Sequence, residues 1–179
     1  MLSPKLYISS GHLRTDPDDL HACVLRAKES GFDGLEILGP AITGGCLSDD
    51  HAKNRLAQVA QEQSILLSFH AWFNWENEPY ETLRCRMEQL VRDVHMCGGL
   101  DINLHLDFLS TPDRGGCGRI IQLCQDITTP LKQYGIRIYF ENTPNGPHDC
   151  LGNKPDDFIR ILTAVDPSCL LYTSPSPRD

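Results

Sequence analysis

The sequence predicts an α/β fold, the amino-terminal portion of a (β/α)8 TIM barrel, with about five βα units and the stub of a sixth strand. Two observations predict it. Strand candidates begin at residues 6, 34, 65, 102, 136 and 169, at intervals of 28 to 37 residues, and each interval has room for one strand and one helix. That alternation gives a parallel sheet. Within the strands, Leu35 and Ile37, Leu67 and Phe69, Leu104 and Leu106, and Ile138 and Phe140 form one apolar set. Gly34 and Glu36, Ser68 and His70, Asn103 and His105, and Tyr139 and Glu141 share the opposite parity. An open parallel sheet is covered by helices on both faces, and its strands read as apolar throughout. A barrel carries helices on its outer face only, and its inner face turns polar near the carboxyl ends of the strands. Eight units at this spacing would need about 260 residues, close to the usual barrel length, so 179 residues hold only part of one.

The elements follow in order. Leu6–Ser10 is the first strand, followed by Gly11 and His12. Asp16-Pro17 starts a helix with Asp18 and Asp19 in its first turn, an apolar stripe of Leu20, Cys23, Val24 and Ala27, and Gly31 as its stop. Gly34–Leu38 is the second strand. Ser48 is the expected N-cap of a helix running to about Glu62. Ile65–Ala71 is the third strand, with Trp72, Phe73 and Trp75 just past it. Pro79 opens a long helix with Leu83, Met87, Leu90, Val91 and Val94 on one face, closed at Gly98-Gly99. Ile102–Leu106 is the fourth strand. The next helix carries Ile120, Cys124, Ile127 and Leu131 at helical spacing, with Pro130 expected to kink or interrupt it. Ile136–Glu141 is the fifth strand, stopped by Pro144 and Gly146. Asn153 and Pro155 start a helix with Phe158, Ile161, Leu162 and Val165 as its stripe, and Cys169–Tyr172 begins a sixth strand. The barrel portion is expected to span residues 1–168. Residues 169–179 end in a Ser/Pro tail that resembles translated adapter sequence on a truncated reading frame.

Bulk composition excludes several function classes. A formal net charge of −8 argues against a general nucleic-acid binder. No apolar run approaches the roughly 20 residues of a membrane span, and the amino terminus has no signal-peptide pattern. The eight cysteines include no C-x-x-C pair, and several fall in helical stripes; they read as reduced thiols of a cytoplasmic protein.

Four polar side chains of one parity, Glu36, His70, His105 and Glu141, stand at or near the carboxyl ends of strands two to five. Two imidazoles and one or two carboxylates converging there suit a divalent metal such as Zn²⁺, Mn²⁺ or Mg²⁺. Trp72, Phe73 and Trp75 are either hydrophobic packing that caps the barrel or a wall against a sugar ring or deoxyribose. His12, and more weakly Asp107, are candidates for the same pocket, and Asn142 follows Glu141 directly.

The segments Gly31-Phe32-Asp33-Gly34-Leu35-Glu36-Ile37, Ser68-Phe69-His70-Ala71, Leu104-His105-Leu106-Asp107 and Phe140-Glu141-Asn142-Thr143-Pro144 resemble the xylose isomerase-like TIM-barrel superfamily. That group includes sugar phosphate isomerases and epimerases and apurinic-site nucleases of the endonuclease IV type (AP endonuclease family 2). The resemblance, over about residues 6–168, implies that Glu141 is a metal ligand. It implies that His105 and His70 are zinc ligands if the chain is nuclease-like, and that His70 handles the sugar if it is isomerase-like. The family's further ligands, on strands six to eight, have no counterpart in these 179 residues, which argues against activity of the chain by itself.

Three readings follow. In the first, a metal-dependent isomerase or epimerase acts on a small carbohydrate or polyol through an enediolate, with Glu141, His70 and Glu36 as catalytic groups and His12, Trp72, Phe73 and Asn142 at the substrate. In the second, zinc-dependent hydrolysis cleaves a phosphodiester at abasic DNA. The third is a barrel that binds a ligand without turning it over. A DNA enzyme needs cationic loops at its mouth, and only Arg14, Arg114 and Lys154 stand out there, so the small-molecule reading is favoured.

Overall fold

The computed structural model describes residues 5–13, 19–39, 47, 49–73, 75, 78–106, 114–141, 155–166 and 168–173. Its elements are β1 (Tyr7–Ser9), a 3-10 turn (Ser10–His12), α1 (Leu20–Glu29), β2 (Gly34–Leu38), α2 (Asp50–Gln63), β3 (Leu66–Ala71), α3 (Tyr80–Met96), β4 (Asp101–His105), α4 (Arg114–Tyr134), β5 (Arg137–Glu141), α5 (Pro155–Ala164) and β6 (Leu170–Thr173). The six strands form one sheet in chain order. The β1–β2, β2–β3 and β5–β6 pairings are parallel. Each strand-to-strand crossover is therefore a βα unit, as the repeat spacing predicts.

Packing divides the chain into two units, residues 1–71 with 92–102, and residues 72–91 with 103–179. In the first, Asp33 ties the strand starts together. Its carboxylate accepts the Leu6 N–H at 3.0 Å, its own N–H donates to the Leu6 carbonyl at 2.8 Å, and its carbonyl accepts from Leu66 at 3.0 Å. The Asp of the Gly-Phe-Asp-Gly segment thus anchors the entries of β1, β2 and β3. Gly34 follows because the Tyr7 ring lies across it: a Cβ there would stand 2.3 Å from Tyr7 Cε1. Leu35, Ile37, Leu67 and Phe69 are fully or almost fully buried, as the strand parity predicts.

Two helix starts differ from expectation. Asp19 is the N-cap of α1, its carboxylate accepting the Ala22 N–H at 3.0 Å; it is not a first-turn residue of a helix begun at Asp16-Pro17, and residues 14–18 lie outside the described residues. Asp49, not Ser48, caps α2, accepting from Ala52 at 2.7 Å. A carboxylate meets the exposed N–H groups of a first turn with a full charge, which a hydroxyl lacks.

In the second unit, α4 continues through Pro130 without the interruption that was one of the two expected outcomes. Five residues of that helix, Ile120, Leu123, Cys124, Ile127 and Leu131, are almost fully buried, and this apolar stripe outweighs one lost backbone bond. Gly135, at φ 67°, ends the helix and delivers β5. Ile138 and Phe140 of β5 are buried and Glu141 is its last residue. The sixth strand, expected from Cys169, begins at Leu170 and pairs Leu170–Thr173 with Ile138–Glu141.

Candidate metal centre

In the first unit, parallel register sets Glu36 beside Ser68 and Leu38 beside His70, so Glu36 and His70 lie diagonally on one face of neighbouring strands. The His70 Nδ1 is 3.4 Å from Oε1 of Glu36. His70 is 9% exposed, so its imidazole is largely shielded from solvent. His12 is exposed at the end of the 3-10 turn after β1.

In the second unit, β4 ends on His105 and β5 on Glu141, with Nε2 of His105 3.7 Å from Oε2 of Glu141. Both are half-buried, as suits groups at the rim of a sheet. Just past β3, Trp72 is 40% exposed, whereas Phe73 is 5% exposed and sits 5.4 Å from the Trp75 ring with the Arg86 guanidinium over its face. Phe73 therefore has the surroundings of the packing role, while Trp72 keeps surface for a ligand. Asn142, Asp107, Arg14 and Lys154 lie outside the described residues.

Each unit thus brings one imidazole beside one carboxylate, His70 with Glu36 in the first and His105 with Glu141 in the second. Imidazole nitrogen together with carboxylate oxygen is the donor chemistry of zinc and of the later divalent transition metals. Trp75 takes the packing role that sequence reasoning offered it, but its polar contact was missed. Its ring is 1% exposed and its indole N–H donates to the His105 carbonyl at 2.9 Å. Nothing in sequence spacing signals a bond to a backbone acceptor 30 residues away.

No family model and no curated protein matches the chain. Solved structures do. D-psicose 3-epimerase with D-tagatose from Clostridium cellulolyticum H10 superposes with a TM-score of 0.77 at 14% identity, covering 94% of this chain and 62% of that one. The probable 3-DHS dehydratase AsbF involved in petrobactin synthesis from Bacillus anthracis gives a TM-score of 0.69 at 16% identity, covering 95% and 62%. A xylose isomerase domain containing protein from Salmonella typhimurium LT2 gives 0.58 at 15%, covering 77% and 49%. At these identities the likeness is one of fold: the chain has the fold of part of a (β/α)8 barrel. It spans about 62% of the epimerase's length.

Proposed function

We propose that the chain is part of a metal-dependent isomerase or epimerase acting on a small carbohydrate or polyol. The observation that carries this is the approach of His105 Nε2 to Glu141 Oε2, 3.7 Å, at the carboxyl ends of β4 and β5, with His70 beside Glu36 in the first unit as a second imidazole–carboxylate pair. The epimerase and xylose isomerase-domain likenesses support the reaction class, although one fold hosts several chemistries.

Each residue has a distinct task in this reading. Neutral His70 and His105 offer imidazole nitrogens, and Glu141 supplies the negative charge that keeps a cation in place. A bound divalent cation supplies Lewis-acid polarisation of a sugar carbonyl. Glu36, beside Nδ1 of His70, orients that ring and offers a carboxylate for moving a proton between adjacent carbons. Trp72 presents an apolar ring to the sugar, with His12 and Asn142 as further polar contacts.

The test measures metal by elemental analysis in the 179-residue chain and in Glu141→Ala, His105→Ala and His70→Ala, beside ketose and abasic-DNA assays of the same variants placed in the longer protein. Glu141→Ala is expected to lose the metal, and turnover with it. Full occupancy in that variant defeats the proposal. Metal retained in His70→Ala with turnover lost makes His70 a substrate-handling group. Cleavage of abasic DNA without ketose conversion replaces the isomerase by the nuclease.

A further inference from the structure

Between β3 and α3 the chain is held by a set of contacts that the proposed reaction does not by itself require. Trp75 is the largest fully buried side chain among the described residues, and its indole N–H is aimed at one acceptor, the carbonyl of His105. Phe73 packs on the Trp75 ring, and Arg86 of α3 lies over the outer face of Phe73. Arg86 also pairs with Glu78, and Arg119 of α4 donates to the Glu78 carbonyl. Loop, α3 and α4 are thereby joined around one indole, which cannot move without moving its neighbours.

The acceptor matters because of where it lies. His105 is the last residue of β4, where the backbone leaves the sheet. A strand end frays unless its carbonyl finds a partner elsewhere. The same residue carries the imidazole whose Nε2 stands 3.7 Å from Glu141. Fixing the His105 peptide fixes the Cα–Cβ vector, and hence the ring, relative to the carboxylate on the neighbouring strand.

We infer that Trp75 is a positioning residue: its indole N–H pins the backbone of His105 so that the imidazole and the Glu141 carboxylate are preorganised as a pair. The inference deepens the metal-centre reading and rests on it for its consequence, although the pinning itself is a property of the protein without metal. Outer partners of metal ligands commonly contribute 10- to 100-fold in affinity.

The test uses the full 179-residue chain and Zn²⁺ alone, titrated against a chelating indicator. Trp75→Phe keeps an aromatic ring in the core and deletes the donor. Leu123→Ala, a truncation at a side chain of α4 that is 1% exposed, is the control for general softening of the unit. Trp75→Phe is expected to weaken Zn²⁺ binding at least tenfold, and Leu123→Ala to leave it within about twofold. In the metal-free protein, the His105 ring resonances, assigned through His105→Gln, should shift or broaden in Trp75→Phe and stay in place in Leu123→Ala. Unchanged His105 resonances in Trp75→Phe overturn the inference, as does equal weakening by Leu123→Ala. If the native chain takes up no Zn²⁺ while the resonances respond as expected, the metal reading fails and the positioning role stands.

Discussion

Cys85 and Cys124 lie on consecutive helices and have opposite surroundings. Cys85 is exposed on α3, whereas burial pushes the Cys124 thiol of α4 up to about 12 from an ordinary value near 9. Cys117, also buried and two turns before Cys124 on the same helix, is shifted upward by the same cause. At pH 8 a thiol-alkylating reagent should therefore modify Cys85 in the native protein and reach Cys124 only after unfolding. Mass spectrometry of the labelled peptides checks this, and rapid native labelling of Cys124 would contradict its placement. The pH consequence has a definite sign. Above about pH 8.5 the unfolded thiol loses its proton while the buried one keeps it. The unfolded state then binds fewer protons than the folded one, so this group's contribution to stability falls as pH rises from there toward 12.

At the scale of elements, the connections between helix and strand carry the strain. Ser64 closes α2 at φ 55°, ψ 40°, the left-handed region, where glycine performs the same service after α1, α3 and α4. A Cβ there costs about 1 kcal/mol. Ser64→Gly should raise stability by about 0.5–1 kcal/mol in urea unfolding with an unchanged m-value, and a destabilised variant would contradict the strain. The strand parity was legible in the sequence because a half-polar inner face and an apolar outer face are properties of alternation alone. The helix stripes were equally legible, since Leu83, Met87, Val91 and Val94 recur at helical spacing and are all buried. The helix starts were not, because Asp16, Ser48 and their acidic neighbours are all acceptable caps and only the local backbone path decides among them. Pro130 does not interrupt its helix because its penalty is local, while the burial that outweighs it belongs to the whole helix.

For the molecule as a whole, the sheet order leaves β1 and β6 as the two outer strands. Within the first unit, Leu6, Leu66 and Leu100 are exposed at or beside the amino ends of β1, β3 and β4. Unpaired strand edges and exposed apolar groups both favour association. The chain should accordingly sediment faster as its concentration rises, and the double variant Leu66→Lys, Leu100→Lys should reduce that trend. Sedimentation independent of concentration in the native chain would refute the expectation.

Sequence alone determined the βα repeat, the face of each strand that is polar and the parity that Glu36, His70, His105 and Glu141 each have within their own strands. These follow from periodicity, which a single strand or helix expresses without knowledge of its neighbours. Only the tertiary structure decided that Asp33 anchors three strand entries, that Lys53 is buried against Asp93 at 2.7 Å, that Phe73 packs inward while Trp72 does not, and that Trp75 holds the His105 peptide. Each of these joins groups 27 to 40 residues apart or turns on the path of a loop, and an acceptor carbonyl or a buried partner leaves no periodic trace in the residues that use it.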